Sequence, residues 1–481
     1  MSGASATKGT PRLLKKQCIT SKLTSLYTRV KMAKMKYRDK ATLSRNGTRL
    51  LAAAGVCLLF VFLVARQHAL PPKGPGGLRI VDIPRIQAGT VDAREFFAKV
   101  GDNTPIIVEG EVRHHPAYNM SFDALKEVCG NSTVETMVFD KISNSWGGLV
   151  DRKHMLMSEY IDDNILNRGN LGPGEQPRYL TAGLGLSLIC PRLALLTPIP
   201  KYVSLSIFPI DLPHYKRTGK RCDFNAPVMF IGNKGTKTEM HVDMRLGPFW
   251  MSVYSGSKTF RVVTYWDARR KWDLYNTRGE GNHIIDQNRW ERDGEIMEIW
   301  DPNLAVFPEV GEVTIYEGTV NAGDWIYLPS AAFHGVRNDD LSFGLTHNAL
   351  FPPTMNKQVD ICADADYRLY CDEYSTYSVC PDDPRQLKHV TPRAKKRLVK
   401  RCLKKSTLVQ GLKRDFDEGK SRDMLLHEVS GFDDYQSWCR ELIDYYDQLG
   451  KGGQFFKMKR EDWKAQMDET RSQCERGPPQ V

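Results

Sequence analysis

Three residues of this sequence have side chains that can share one metal ion. His241 and Asp243 form an H-x-D pair within the segment TEMHVD, and His334 lies far downstream, after an apolar segment. Two imidazoles and one carboxylate on one face of an octahedron leave three positions open for other ligands, an arrangement that suits a ferrous ion. These residue types therefore predict a metal centre, although an H-x-D pair alone is more often a surface hydrogen bond.

Strands that lie side by side must carry these three residues. On a strand, residues i and i+2 face the same side, so His241 and Asp243 are predicted to share a face while Val242 packs on the other. Before His334, the run GDWIYLP at residues 323–329 predicts a turn and a strand that ends at proline. A lone histidine after such a strand is usually structural, so its interpretation depends on the surrounding pattern.

That pattern resembles the jumonji C (JmjC) oxygenases, a family within the wider cupin group. In this family an H-x-D pair is followed by a lysine that starts a strand, by a Gly-Asp-x-x-aromatic-x-Pro segment before the second histidine, and by a Thr-x-Asn pair. The same elements stand here in the same order: His241 with Asp243, Lys258, residues 323–329 with His334, and Thr346 with Asn348. The segment PIIVEG at residues 105–110 is similar to the family's opening strand, and the resemblance covers roughly residues 79–352.

The resemblance implies Fe(II) held by His241, Asp243 and His334, with 2-oxoglutarate as co-substrate and O2 as oxidant. The layout looks nearest to the small jumonji protein hydroxylases. Lys258 would then meet the distal carboxylate of 2-oxoglutarate, because a lysine amine that faces a barrel interior is costly without a counter-charge. The other interpretation of Lys258 is a solvent-exposed lysine in a hairpin.

Further polar side chains are candidates for the same pocket. Hydroxyls that could complete the hydrogen bonding of the co-substrate carboxylate belong to Thr238, Thr346 and Tyr179. Asn348 is expected to orient iron-bound groups rather than to bind the metal itself. Two departures from the family pattern, the apolar Met251 after Trp250 and the small Ala332 before the second histidine, leave the substrate open.

The fold predicted for the site-bearing region is mainly β. From about residue 202 to residue 350, β-branched and aromatic runs alternate with turn signals, which is typical of a sandwich or barrel. With the resemblance, this predicts a double-stranded β-helix (jelly-roll or cupin) core at residues 79–352, with flanking helices such as Ala93–Val100 and Phe122–Cys129. Residues 353–481 change to Cys, charged residues and helix formers, which predicts an α-helical, cysteine-containing C-terminal extension.

The N-terminal 78 residues predict a membrane anchor. Residues 1–49 hold thirteen Lys and Arg against one acid, Asp39, which gives this segment a charge of +12. The whole chain carries +11, so residues 50–481 carry −1. Residues 50–65 are apolar and lie between Arg49 and Arg66; at ~1.5 Å per residue they make a short span of roughly 24 Å. The basic flank predicts a cytosolic tail at 1–49, one transmembrane helix at 50–65 and a Pro/Gly stem at 66–78. A buried core helix is the alternative for residues 50–65.

This topology predicts a type II membrane protein whose catalytic domain faces a lumen. A short span suits the endoplasmic reticulum or early Golgi, although a basic head before a span also fits the mitochondrial inner membrane. Two glycosylation sequons, at Asn119 and Asn131, agree with a lumen. Nine of the eleven cysteines follow the span, which favours disulfides in an oxidising compartment over free thiols, without indicating how they pair.

The sequence as a whole predicts an Fe(II)- and 2-oxoglutarate-dependent dioxygenase that hydroxylates, or demethylates through hydroxylation, a protein or peptide side chain. The alternative is a non-enzymatic, cupin-like ligand-binding membrane protein. A nuclear histone demethylase is disfavoured by the predicted span, and the near-neutral body gives no reason to expect a nucleic-acid partner. Residues 385–405 hold ten Lys and Arg and no acid, which fits either a solvated helical face or a dock for an acidic substrate or glycan. The oligomeric state is left open.

Overall fold

A computed structural model gives the fold of the chain from residue 73 onward. It describes residues 73–348 except 101–102, 141–145, 168–174, 182–185, 206–226, 244–246, 269–290 and 293. In the C-terminal region it describes residues 354, 360–361, 394, 397, 400–401, 404–405, 407–420, 423, 434–451 and 460–477. The predicted cytosolic tail and transmembrane helix lie outside the described residues, as does most of the basic segment 385–405. Within the described part of the chain, no helix has the length and apolar character needed to cross a membrane.

Strands and helices alternate in the N-terminal third, and strands dominate the middle of the chain. The strands are β1 Arg79–Asp82, β2 Arg85–Gln87, β3 Ile106–Glu109, β4 Thr133–Phe139, β5 Leu149–Leu156, β6 Tyr179–Thr181, β7 Val228–Gly232, β8 Lys237–His241, β9 Phe249–Ser255, β10 Ser257–Val263, β11 Glu291–Arg292, β12 Glu295–Ile296, β13 Thr314–Asn321, β14 Trp325–Leu328, β15 Phe333–Asn338 and β16 Ser342–Asn348. The helices are α1 Ala93–Val100, α2 Phe122–Cys129, α3 Met157–Ile161, α4 Leu186–Ile189, α5 Pro191–Leu196, α6 Tyr265–Asp267, α7 Thr407–Asp417, α8 Tyr435–Lys451 and α9 Arg460–Arg476.

The protein is mainly β, with two large sheets, as a jelly-roll core predicts. One sheet has five strands in the order β1-β13-β10-β15-β8, and the other has nine in the order β2-β3-β14-β9-β16-β7-β6-β4-β5. Phe260, Val262 and Val336 of the smaller sheet share a buried apolar cluster with Met251 and Ile326 of the larger sheet. The two sheets therefore pack through one apolar interior, and the inner face of β8, β10 and β15 lines it.

A second, larger core lies where the helices pack against the nine-stranded sheet. Helix α1 buries Ala93, Phe96, Phe97 and Val100, the spacing of one helix face. The Ser121 side chain caps α2 by accepting a hydrogen bond from a backbone N–H in its first turn. These helices cover the outer face of the sheet, so central strands such as β9 and β14 are buried on both sides.

The described part of the C-terminal region is helical and packs onto this second core. The ring of Phe416 on α7 lies 5.7 Å from that of Phe97 on α1. Trp438 on α8 is only 2% exposed. A disulfide joins Cys439 on α8 to Cys474 on α9. The extension predicted as helical and cysteine-containing therefore belongs to the same packed body as the sheets.

Candidate metal centre

His241 and His334 face each other across two antiparallel strands. They are direct partners in the register of β8 and β15, and their ring centroids are 4.3 Å apart. Both side chains are buried. The antiparallel pairing of β15 with β8 thus brings the downstream histidine to the H-x-D pair, although many residues separate them in sequence.

Asp243 completes the group from a loop rather than from a strand. Strand β8 ends at His241, so the prediction that Asp243 lies on the same strand is wrong. Its Oδ1 atom still lies 3.8 Å from His241 Nε2 and 4.0 Å from His334 Nε2. Three atoms at these separations, all within 4.8 Å of one another, can share a centre at roughly 2–2.5 Å, which is the range of metal–ligand bonds.

Backbone carbonyls fix the orientation of both imidazoles. His241 Nδ1 donates to the carbonyl of Glu239 at 2.7 Å, and His334 Nδ1 donates to the carbonyl of Ala332 at 3.1 Å. With the proton on Nδ1, the lone pair is on Nε2, the atom that faces Asp243. A hydrogen bond of this kind is the usual support of a metal-binding histidine.

Burial keeps His241 in the neutral form that a metal requires and leaves Asp243 in need of a nearby cation. Loss of solvent, with the nearby His334 as a smaller cause, lowers the pKa of His241 well below its usual range, so the ring is neutral. Loss of solvent also raises the pKa of Asp243, an effect that His334 opposes. A cation at the centre would offset the cost of burying that carboxylate. The residues present therefore fit a divalent ion.

An irregularity in β8 places Thr238 on the same face as His241. His334 pairs with His241 while Val336 pairs with Thr238, so two steps on β15 match three steps on β8. Thr238 Oγ1 is buried and has no hydrogen-bond partner among the described residues. The hydroxyl predicted to serve the co-substrate therefore lies inside the pocket with its hydrogen-bonding capacity unused.

Lys258 is fully buried at the far end of the same face. On β10 it alternates with Phe260 and Val262 toward the interior, and it pairs with Asn338 on β15. Burial lowers the pKa of Lys258 to about 7, and no charged group in the described part of the chain opposes this effect. The amine donates a 2.5 Å hydrogen bond to Asn338 Oδ1 and lies 5.6 Å from the centroid of the Tyr179 ring. The exposed-hairpin interpretation of Lys258 is therefore wrong.

Asn338 organises this end of the pocket, and the sequence did not single it out. Its Oδ1 also accepts from Ser342 Oγ at 2.8 Å, and its Nδ2 donates to Thr236 Oγ1 at 2.7 Å. Tyr179 is buried and hydrogen-bonds to the same asparagine. The spacing between His334 and Asn338, four residues on one strand, places both side chains on one face and could have revealed it.

The two remaining candidates lie on β16. Thr346 is buried, and its hydroxyl donates a long 3.4 Å bond to the carbonyl of Val228. It shares a face with Gly344, where an added Cβ would lie 3.3 Å from the Lys258 side chain, so Thr346 also faces the interior. The backbone of Asn348 ends the strand opposite Phe249, and its side chain lies outside the described residues.

The donors and charges of this pocket suit a dicarboxylate. A buried amine without a counter-charge, a buried hydroxyl without a partner and a metal-ligand group lie on one apolar-walled face. A carboxylate at Lys258 would supply the missing charge, and a second carboxylate could reach the metal centre. These residues therefore fit 2-oxoglutarate.

Comparison with known proteins agrees with this geometry. Residues 93–357 match the cupin-like domain family. The lysine-specific demethylase 8 of Danio rerio is 24% identical over 270 residues, which are 55% of this chain and 57% of that protein. The chain thus aligns with little more than half of that relative. With more than half of its length matched to the family and with the site described above, this chain belongs to the cupin-like domain family, in its JmjC group.

Proposed function

We propose that this protein is an Fe(II)- and 2-oxoglutarate-dependent oxygenase that hydroxylates, or demethylates through hydroxylation, a protein or peptide side chain. The observation that carries the proposal is the group of His241, Asp243 and His334, with both Nε2 atoms turned toward one carboxylate. When bound, iron and 2-oxoglutarate supply the oxidation, in which 2-oxoglutarate and O2 become succinate and CO2 and one oxygen atom enters a substrate C–H bond.

The protein's own residues bind the metal ion and the co-substrate, orient them and exclude water from the site. The carbonyls of Glu239 and Ala332 hold the two imidazoles in position before any ligand arrives, so less of the binding free energy is lost in ordering them. Lys258 binds the distal carboxylate and sets the depth to which the co-substrate enters. The ring of Phe249, 5.2 Å from that of His334, closes the apolar side of the centre against solvent.

The test combines metal binding with turnover. Calorimetry should show Mn(II) binding that depends on 2-oxoglutarate in the wild-type protein and loss of this 2-oxoglutarate-dependent binding in Asp243→Ala. Fe(II)-dependent formation of succinate should be lost in the same variant, whereas His154→Gln, which changes a partly exposed histidine on β5 outside the site, should retain both. Succinate formation by Asp243→Ala at the wild-type rate would refute the assignment of the ligands. Binding of 2-oxoglutarate with no succinate under any condition would instead support the ligand-binding alternative.

We propose in addition that the oxygenase acts in the lumen of the secretory pathway, as a type II membrane protein. Two features support a luminal body: the disulfides Cys129–Cys190 and Cys439–Cys474, and the exposed positions of both sequon asparagines, Asn119 and Asn131. Removal of N-glycans should shift the electrophoretic mobility of the full chain made in animal cells. An unshifted band together with co-purification with mitochondria would favour the inner-membrane alternative.

The proposal leaves several side chains as candidates for the substrate. The Danio rerio relative is named for lysine demethylation, and lysine is accordingly one candidate beside arginine, asparagine and proline. Proteins of the secretory pathway should carry added oxygen, or have lost methyl groups, in cells with active enzyme relative to cells with Asp243→Ala. A difference confined to nuclear proteins would contradict the proposed location while leaving the chemistry intact.

A further inference from the structure

A second group of metal-ligating side chains lies where the C-terminal region meets the sheet body. His114 and His115 belong to the turn after β3, and Asp423 lies in the segment between α7 and α8. One ligand atom from each of the three residues lies within 4.8 Å of the others. The group therefore joins two parts of the chain that are about three hundred residues apart.

The two histidines present their Nε2 atoms to one carboxylate oxygen. His115 Nε2 lies 3.4 Å from Asp423 Oδ2, and His114 Nε2 contacts the same atom. On the other side of its ring, His115 Nδ1 is 2.9 Å from the hydroxyl of Tyr254. With the Nδ1 proton donated to that hydroxyl oxygen, the lone pair of His115 is on Nε2 and points at Asp423.

The buried state of His115 is an independent sign of a missing ligand. Its side chain is 0% exposed, and its Nε2 atom faces Asp423 Oδ2 at 3.4 Å without good hydrogen-bond geometry and has no other partner within the described part of the chain. A polar atom buried without a partner is rare in folded proteins and calls for an explanation such as an ion. His114, in contrast, is 61% exposed, so the group is open to solvent on one side. An ion could therefore enter without unfolding the protein.

A second carboxyl group, that of Glu111, lies near Asp423. Glu111 is buried three residues before His114. Burial raises the pKa of Glu111 to about 7; Lys201 opposes this effect, and the charge of Asp423 adds to it. Two carboxylates near one another in a partly buried position favour a bound cation.

This group is separate from the metal centre described above. Strand β9 connects the two: Phe249 at its start contacts His334, and Tyr254 near its end contacts His115. Five residues of strand span roughly 17 Å. One ion therefore cannot serve both groups.

We infer that His114, His115 and Asp423 bind a second divalent transition-metal ion, of the zinc(II) class, which fastens the C-terminal region to the cupin-like domain. Two imidazoles and one carboxylate are the donors that zinc accepts, whereas calcium and magnesium prefer oxygen ligands throughout. With three protein ligands and an open side, water would complete a tetrahedral site. The inference is independent of the proposed oxygenase function.

The test measures zinc in a protein whose first centre has been disabled. The full chain carrying Asp243→Ala, purified with its affinity tag removed and dialysed against micromolar zinc, should retain about one zinc ion per chain by elemental analysis. Adding His114→Ala, which alters an exposed side chain, or the isosteric Asp423→Asn should remove that ion. The matched control is His154→Gln, because His154 also faces a carboxylate, Glu135, at 3.4 Å; it should keep the ion.

A second readout separates a metal site from a hydrogen-bonded cluster. Chelation should lower the melting temperature of the Asp243→Ala protein, and zinc should restore it, whereas Asp423→Asn in this background should show no response to either. Equal zinc content in the Asp423→Asn variant and in the His154→Gln control would overturn the inference. So would the absence of zinc from the Asp243→Ala protein.

Discussion

Lys258 and Asn338 are direct partners across β10 and β15, and the lysine amine donates a 2.5 Å hydrogen bond to the asparagine side-chain oxygen. The partner is neutral, so the hydrogen bond orients the amine without supplying a counter-charge. The buried amine therefore has no counter-charge among the described residues until a carboxylate binds. This relationship makes the binding of co-substrate sensitive to small changes around the lysine.

Asn338→Asp should place beside Lys258 the negative charge that the co-substrate carboxylate otherwise supplies. The new carboxylate would pair with Lys258 and repel the dianionic co-substrate, so the dissociation constant for 2-oxoglutarate should rise about tenfold or more. The control is Asn321→Asp, which makes the same charge change at an exposed position of β13. Calorimetric titration of the Mn(II)-loaded protein with 2-oxoglutarate checks the prediction. Equal affinities in the two variants would remove Lys258 and Asn338 from the co-substrate site.

The buried lysine should make the ligand-free protein more stable as the pH rises from about 7 toward 10. Lys258 loses its proton near pH 7 in the folded protein and near its ordinary pKa of about 10.4 in the unfolded chain. Between these values the unfolded chain binds more protons, so the free energy of unfolding rises with pH, by at most about 1.4 kcal/mol per unit from this residue. Below pH 7 the lysine is protonated in both states, and its contribution is constant.

Urea unfolding at pH 7.5 and pH 9 measures this effect against Lys258→Met. The variant lacks the titrating amine. The free energy of unfolding of the wild type minus that of the variant should therefore increase as the pH rises from 7.5 to 9. A difference that does not depend on pH would mean that the lysine titrates near its ordinary pKa and is not desolvated as the structure indicates.

Binding of 2-oxoglutarate should be coupled to the uptake of a proton above pH 7. The distal carboxylate favours the charged form of Lys258, so the complex holds a proton that the ligand-free protein has partly released. Calorimetry at pH 8 in two buffers of different ionisation enthalpy should give different observed enthalpies, corresponding to up to one proton per site. Identical enthalpies in the two buffers would contradict the coupling. Lys258→Met, tested at saturating ligand, should show no dependence on buffer.

Much of the fold could be predicted because its signals are local. Helices α1 and α2 have the predicted bounds, Ala93–Val100 and Phe122–Cys129, since apolar spacing and a serine cap suffice to define them. The strands around the site also appear where β-branched and aromatic runs lie. In the run that contains β10, the strand ends at Val263, and helix α6 begins at Tyr265 although the run is still apolar there.

The details that position the site depend on contacts between distant strands. The irregular pairing of β8 with β15 brings Thr238 to the face of His241, and no feature of either strand alone indicates it. Strand β8 also ends before Asp243, so the carboxylate reaches the centre from a loop. The role of Asn338 follows from its register opposite Lys258. Register between strands is a tertiary property, and a period-two pattern does not specify it.

Gly232→Ala should damage the Lys258 end of the pocket by steric conflict. A Cβ at this position would lie 2.2 Å from Asn338 Nδ2, 2.5 Å from Tyr179 Cε2 and 2.6 Å from Thr236 Oγ1. Those atoms must move, so the free energy of unfolding should fall by about 1–3 kcal/mol and co-substrate binding should weaken. The control is Gly411→Ala on helix α7, where an added Cβ meets nothing within 4 Å and should stabilise by up to about 1 kcal/mol. Chemical denaturation of both variants, with co-substrate titration, makes the comparison; unchanged 2-oxoglutarate affinity in Gly232→Ala would contradict the prediction.

The two disulfides within the described residues should be present in protein secreted or retained in an oxidising compartment, and each should stabilise the fold. Cys129 at the end of α2 pairs with Cys190 before α5, with a sequence separation of 61 residues, and Cys439 pairs with Cys474 across 35 residues. Loops of these lengths predict a loss of about 4 kcal/mol for each bond removed, because the unfolded chain regains conformational entropy.

Peptide mapping without reduction should recover both pairs, and replacing both members of either pair with alanine should lower the midpoint of denaturation. The Cys129–Cys190 bond lies within the core that supports the nine-stranded sheet, so its removal should also reduce metal binding at the first centre. Cys439 and Cys474 lie in the same core, but their bond joins α8 to α9, which add no strand to either sheet, so its removal should reduce metal binding less. Recovery of the four cysteines as free thiols from the native protein would contradict the oxidising location together with the predicted gain in stability.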